Sequence, residues 1–329
     1  MKNALIFFGS GASVPFGLPT MKQFVLEFEN QLKQKLQSDS SSYTKDMLLL
    51  YEDIKNRLVQ IYDYADLESV FSVIEALSRN VRYSDLGFPC SYSLSKLSTK
   101  SEGTSNLWIG SDSLKALATD LLSSYKEFVR ERLNFDEDME ECIDELFRDF
   151  YNTISKDHHD ASIQSTIIDG KDYILADYLV YTTNYDLIQE RYWQGITKIN
   201  NLIESDDRGR EILDLKRLDE DYSVRRNGRH LKFVKLHGSL NLFKLRDGSI
   251  AKLDQRRKKY GKTQVEGELM IYPIQQKDLY LYPWFDLFKQ FKANLDHTKC
   301  WIFIGYGFND EFITNMILET LKKGGRSSS

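Results

Sequence analysis

Cysteine is scarce in this chain of 329 residues. Cys90, Cys142 and Cys300 stand far apart with no CxxC pair, so the sequence offers neither a disulfide framework nor a zinc knuckle. A reducing, cytoplasmic setting is the matching expectation. Long apolar runs are missing too. None approaches the ~18 residues that a membrane span requires, and no membrane partner is expected. The N-terminal run is only about six residues long and ends in glycine, too short for the apolar core of a signal peptide. Excess positive charge is also absent. A net charge of −5 argues against broad nucleic-acid binding, and "RRKKYGK" at 256–262 reads as a solvated loop, with contact to nucleic acid or a partner as the alternative. What is present is a globular composition, 41% hydrophobic and 13% aromatic, long enough for a substantial core.

The apolar stretch before Gly9 reads as a first strand, followed by a helix from about Met21. Helical spacing then dominates to about residue 157. One face collects Met47, Leu50, Ile54, Leu58 and Ile61, a second Leu67, Val70, Phe71, Ile74 and Leu77, and a third Leu114, Leu117, Leu121, Tyr125, Phe128 and Val129. Residues 80–111 read as a long Ser- and Gly-rich loop, and the acidic run at 136–145 as the start of a further helix. From about 172 the pattern changes. "YILADYLVYTTNYD", "LKFVKLHGS", "ELMIYPI" and "CWIFIGYGFND" read as buried parallel strands that deliver loops at their carboxyl ends. A closing helix follows, with Phe312, Met316 and Leu321 expected to face inward. The fold class is α/β, a Rossmann-like, doubly wound, mainly parallel sheet with a large helical insertion. Expected boundaries are 1–20 and 172–323 for the core, 21–171 for the insertion and 324–329 for a disordered tail.

The first strand runs into "GSGAS", residues 9–13. Residues without bulk at that point allow a backbone to approach an anionic ligand closely, although a tight turn with no ligand needs them as well. The dehydrogenase pattern GxGxxG fails, because Val14 stands at its third glycine and the acidic residues ~20 positions on, Glu27 and Glu29, lie in a helical stretch. The phosphate-loop pattern fails as well, since the "GKT" at 261–263 lacks its upstream glycine. Three further strand ends carry polar or small groups: "TTNYD" at 182–186, "LHG" at 236–238 and "GYG" at 305–307. Each alone is compatible with ordinary turn chemistry. Four in one sheet point to a binding crevice.

In this combination and order the chain resembles the sirtuin family, and looks closest to its bacterial antiphage-defence branch, whose members consume NAD. The resemblance implies that Gly9, Ser10, Gly11, Ala12 and Ser13 cradle the NAD pyrophosphate. Asn184 and Asp186 would line the nicotinamide and ribose pocket beside Thr183. His237 would be the catalytic histidine, next to Gly238, while Gly305 and Gly307 contact the ribose or phosphate. Deacylating sirtuins carry a proline-aspartate-phenylalanine-arginine stretch after the glycine loop, where this sequence has Pro19, Thr20, Met21 and Lys22. They also carry a zinc module of two CxxC pairs, and no zinc is expected here.

The implied reaction is hydrolysis of NAD, as substrate, to nicotinamide and ADP-ribose. His237 would activate a water or a ribose hydroxyl, Asn184 would orient that nucleophile or the ribose, and Asp186 would bind the carboxamide or stabilise positive charge. Protein deacylation or ADP-ribosyl transfer, and a catalytically silent NAD or ADP-ribose sensor, are the alternatives. The resemblance further implies a homo-oligomer, or a regulatory partner protein that holds the activity in check.

Overall fold

The computed structural model describes residues 4–39, 41–79, 111–133, 140–157, 164–168, 171–175, 178–193, 199–218, 231–253, 264–270, 282–298 and 300–324. In chain order these give β1 (Ala4–Phe8), a 3-10 turn (Ser10–Phe16), α1 (Met21–Ser38), α2 (Ser42–Tyr62), α3 (Leu67–Arg79), α4 (Ser111–Leu133), α5 (Glu140–Asp157), β2 (Gln164–Ile168), β3 (Lys171–Leu175), β4 (Tyr178–Thr182), α6 (Ile188–Trp193) and β5 (Ile199–Asn200). There follow β6 (Ile203–Ser205), β7 (Glu211–Leu213), a 3-10 turn (Leu215–Leu218), β8 (Leu231–Lys235), β9 (Gly238–Leu245), β10 (Ile250–Lys252), β11 (Val265–Met270), α7 (Trp284–His297), β12 (Trp301–Ile304) and α8 (Glu311–Gly324). The loop expected at 80–111 and the tail expected at 324–329 lie outside the described residues, save for Ser111, which opens α4, and Gly324, which closes α8.

The chain divides into two units. One comprises Met1–Leu18, Leu133–Ile271 and Lys277–Ser329; the other comprises Pro19–Arg132 and Tyr272–Gln276. The second unit is helical. Thr20 caps α1 through a reciprocal capping box with Gln23, which satisfies backbone donors that a helix start leaves open. Phe24, Phe28, Tyr51, Tyr125 and Phe128 pack edge-on and tilted inside it. The α3 and α4 stripes are buried as their spacing predicts, while on α2 the buried face ends at Leu58 and Ile61 is exposed. Ile61 lies in the last turn, directly before the left-handed cap at Asp63.

The first unit is Rossmann-like. Its main sheet is parallel throughout, in the order β12-β1-β4-β8-β5. All five residues of β1 are buried. Phe7 packs on Phe291 of α7, and Phe8 packs on Phe147 and Phe150 of α5. Helices therefore cover β1 on both faces, which is why its sequence is a continuous apolar run.

A second, antiparallel sheet in the order β11-β9-β10-β7-β6 departs from expectation. "ELMIYPI" reads as a parallel core strand, but its described part belongs to β11, paired antiparallel with β9. Only Leu269 of β11 is buried, the rest being exposed or half-buried, which sets it apart from a strand covered on both faces. "YILADYLVYTTNYD" holds two strands, β3 in an antiparallel hairpin with β2 and β4 in the parallel sheet. On α8 the inward face is Ile313, Ile317 and Thr320; Phe312 and Met316 pack partly against the core, and Leu321 is exposed. Among the described residues no helix is long and apolar enough to cross a membrane.

Candidate functional site

Register aligns the carboxyl ends of four parallel strands. Phe8 pairs with Ile304 on one side and Thr182 on the other, and Thr182 pairs with Lys235. The residues just beyond these ends, Gly9, Thr183, Leu236 and Gly305, open the four loops singled out in the sequence. In open α/β sheets such an edge is where ligands bind, at the point where chain order reverses. Here β12 and β4 flank β1 on opposite sides, so the reversal falls at the glycine turn.

The glycines at this edge are explained first by each other. A Cβ on Gly9 would stand 2.6 Å from Gly305 O and Tyr306 Cα, and one on Gly11 would stand 2.9 Å from Gly305 Cα. Gly305 itself has φ +62, and a Cβ there would meet Ala12 N at 2.1 Å. The two loops are in backbone contact, through Gly9 N–H donating to Ile304 O and Gly11 N–H donating to Gly305 O, both at 2.9 Å. Ala12 N–H donates to Gly9 O at 3.0 Å. These three amides are thus engaged within the protein. Gly238, at φ +89, lies where β9 crosses Leu269 of β11, whose carbonyl a Cβ would strike. A Cβ on Gly307 would meet the Asn309 side chain at 3.3 Å.

Beside the turn lies a buried polar cluster. Asn184 Nδ2 donates to Gly9 O and to Ser13 Oγ, each at 3.0 Å. Ser13 Oγ in turn donates to Asp186 Oδ2 at 2.7 Å. Asp186 Oδ1 accepts from Ile188 N–H at the start of α6, and Thr182 Oγ1 accepts from Asn184 N–H. Both oxygens of Asp186 are thereby engaged, and its geometry is that of a positioning group. The remaining atom is Asn184 Oδ1, buried and with no hydrogen-bond partner among the described residues. Its direction is fixed, because the nitrogen of the same amide is held at two points.

The NYD segment is anchored from below by Lys235 at the end of β8. Its Nζ donates to Tyr185 O, to Asp186 O and, at 2.7 Å, to Glu190 Oε1. Burial pushes the Glu190 carboxyl up from its ordinary range against the pull of Lys235, and the Asp186 charge pushes the same way. Glu190 and Lys235 also line a cavity of about 50 Å³ together with Ser239, Trp284 and Leu287, which is room for a water.

His237 occupies the two-residue link between β8 and β9 and is 2% exposed. Its ring lies 6.3 Å from those of Tyr185 and Phe288. Its Nε2 sits 3.1 Å from Asp310 Oδ2. Burial would raise the Asp310 carboxyl, but the hydrogen bond and charge of His237, with the N–H groups of Ile313 and Phe312, hold it below the usual carboxylate range.

The structure thus joins Gly9, Ser13, Asn184 and Asp186 by hydrogen bonds, seats Gly11 and Gly305 against the same turn, and brings His237 to the neighbouring Tyr185. Sequence reasoning passed over Asp310, Lys235 and Glu190. Asp310 had a signal, as an aspartate directly before an amphipathic helix. So did Lys235, a cation closing an apolar strand.

Residues 178–329 match the family described as a SIR2-like domain. This supports a place in the sirtuin-like family. The match covers under half of the chain; it includes Asn184, Asp186, His237, Gly305 and Asp310, and leaves the glycine turn outside. A SIR2-like domain implies NAD-related activity in general. No curated protein matches the chain. Among the described residues no group of three His, Cys, Asp or Glu side chains could hold a metal ion.

Proposed function

We propose that the protein hydrolyses NAD, cleaving the nicotinamide–ribose bond to release nicotinamide and ADP-ribose, and that it does so as an NAD-depleting effector in antiphage defence, controlled by self-assembly or a partner protein. The observation that carries the chemical part is Asn184 Oδ1. A buried acceptor without a donor costs about 1–3 kcal/mol, and this one, which has none among the described residues, is held rigidly beside a glycine turn at a sheet's switch point. A ribose hydroxyl, or the attacking water, supplies the missing donor.

The hydrogen-bonded arrangement supports the following roles. The turn at Gly9–Ser13 seats the pyrophosphate on the side away from Gly305 and Tyr306, whose backbone fills the spaces beside Gly9 and Gly11, and the amides of Gly9, Gly11 and Ala12 already have partners. Asp186 fixes Ser13, and Ser13 fixes Asn184. His237 removes a proton from the water or hydroxyl as its oxygen bonds to the anomeric carbon. The C–N bond breaks, and nicotinamide leaves neutral with the bonding pair, which discharges its ring. General-base help of this kind is worth about 10²–10⁴-fold, and positioning contributes further. Ser13, Asn184 and His237 are all at most 5% exposed, so the reaction is shielded from bulk water.

The test is to incubate the protein with NAD alone, then with an acylated peptide, and to follow nicotinamide. Release without peptide, lost in Asn184→Ala and His237→Ala variants that remain folded, is the expected result. Release only with peptide would establish a deacylase or transferase, and binding without release a sensor.

A further inference from the structure

The strand order places β12 and β8 three positions apart, with β1 and β4 between them. At about 4.8 Å per strand this is roughly 14 Å. Yet Asp310, six residues past the end of β12, touches His237, two residues past the end of β8. The segment 305–310 must therefore cross the carboxyl ends of β1 and β4, where Asn184 and the glycine turn lie. Two features fix its path: Gly305 is locked against Gly11 and Ala12, and the Tyr306 ring packs 4.6 Å from that of Phe7. Asp310 ends the crossing with both oxygens committed, Oδ1 accepting from Ile313 N–H at 3.0 Å as the cap of α8 and Oδ2 facing the imidazole.

We propose that Asp310 is the positioning residue for His237: its carboxylate holds the ring with the proton on Nε2, so that Nδ1 is the basic nitrogen. This rests on the reading of His237 as the general base. A carboxylate accepts hydrogen bonds and cannot donate one, so a neutral ring facing Asp310 keeps Nε2–H, and its lone pair is at Nδ1. The 3% exposure of the His237 side chain and the 12% exposure of the Asp310 side chain keep water from replacing either partner. An asparagine in such a position can turn its NH₂ to the imidazole and reverse the tautomer, which in a serine-protease triad lowers kcat by about 10⁴-fold.

Two variants separate positioning from helix capping. Asp310→Ser retains a good cap for α8 but cannot reach or charge-pair with the ring, and Asp310→Asn retains size while offering a donor. Nitrogen-15 NMR of the His237 ring at about pH 9, where a histidine is ordinarily neutral, is expected to show Nε2–H in the wild type and a shift toward Nδ1–H in Asp310→Asn. Both variants should lose about 10²–10⁴-fold in kcat for nicotinamide release, with KM for NAD changed less than threefold and the melting temperature of the serine variant near that of the wild type. Nδ1–H or a doubly protonated ring in the wild type overturns the proposal, as does unchanged kcat in both variants of an active enzyme. If the wild type releases no nicotinamide, the hydrolase reading fails by itself, and the tautomer alone decides the role of Asp310.

Discussion

Asn184 is where the site's demands concentrate. Its nitrogen holds Gly9 O and Ser13 Oγ, while its oxygen has no donor among the described residues. Replacement by alanine removes both bonds and is expected to cost about 1–3 kcal/mol, measured by urea unfolding, and to abolish the rise in melting temperature with NAD that the proposed function predicts for the wild type. Gly305 makes a second demand, of backbone approach. Gly305→Ala places a methyl group 2.1 Å from Ala12 N at φ +62 and is expected to cost at least about 2 kcal/mol. Gly267→Ala, with open space around it, should shift stability by less than about 1 kcal/mol. The sequence made small residues visible here but not their reason, since backbone packing against another backbone calls for the same residues as backbone packing against a phosphate.

Among elements, β8 shows most clearly how the site is supported. Lys235 closes this strand and ties the carbonyls of Tyr185 and Asp186 to Glu190. Lys235→Met leaves Glu190 buried without its cation, at a cost of about 3 kcal/mol. Adding Glu190→Gln should recover much of that stability in thermal melts, yet nicotinamide release should stay low because the NYD segment has lost its anchor. At this scale the sequence was informative where periodicity was strong. The α3 and α4 stripes and the parallel placement of β1, β4, β8 and β12 could be read from apolar runs and spacing. The antiparallel sheet could not, because β6, β7 and β10 are three residues long and too short to show a period, and β11 carries an apolar end that mimics a core strand. The contact of His237 with Asp310, seventy-three positions apart, depends on strand order, which local pattern does not encode.

For the molecule as a whole, the buried pair at the sheet edge links folding to pH. The folded-state value of Asp310 lies below its ordinary 3.8, so below pH 3.8 the unfolded chain binds more protons than the folded one. The stabilisation it contributes is complete above that pH and is lost as pH falls through the folded value. Acid unfolding followed by circular dichroism should therefore be less steep in Asp310→Asn than in the wild type, and an identical pH profile would remove Asp310 from the account of acid stability. The main sheet collects four loop starts on one edge, and in the proposed function this edge receives NAD with Asn184 Oδ1 as a primary acceptor. A crystal structure with a carbocyclic, uncleavable NAD analogue tests it most directly. The account predicts the hydroxyls of the nicotinamide-side ring within hydrogen-bonding distance of Asn184 Oδ1 and the pyrophosphate over Gly9–Ser13; an analogue bound elsewhere, with Asn184 Oδ1 still buried and without a donor, would contradict it.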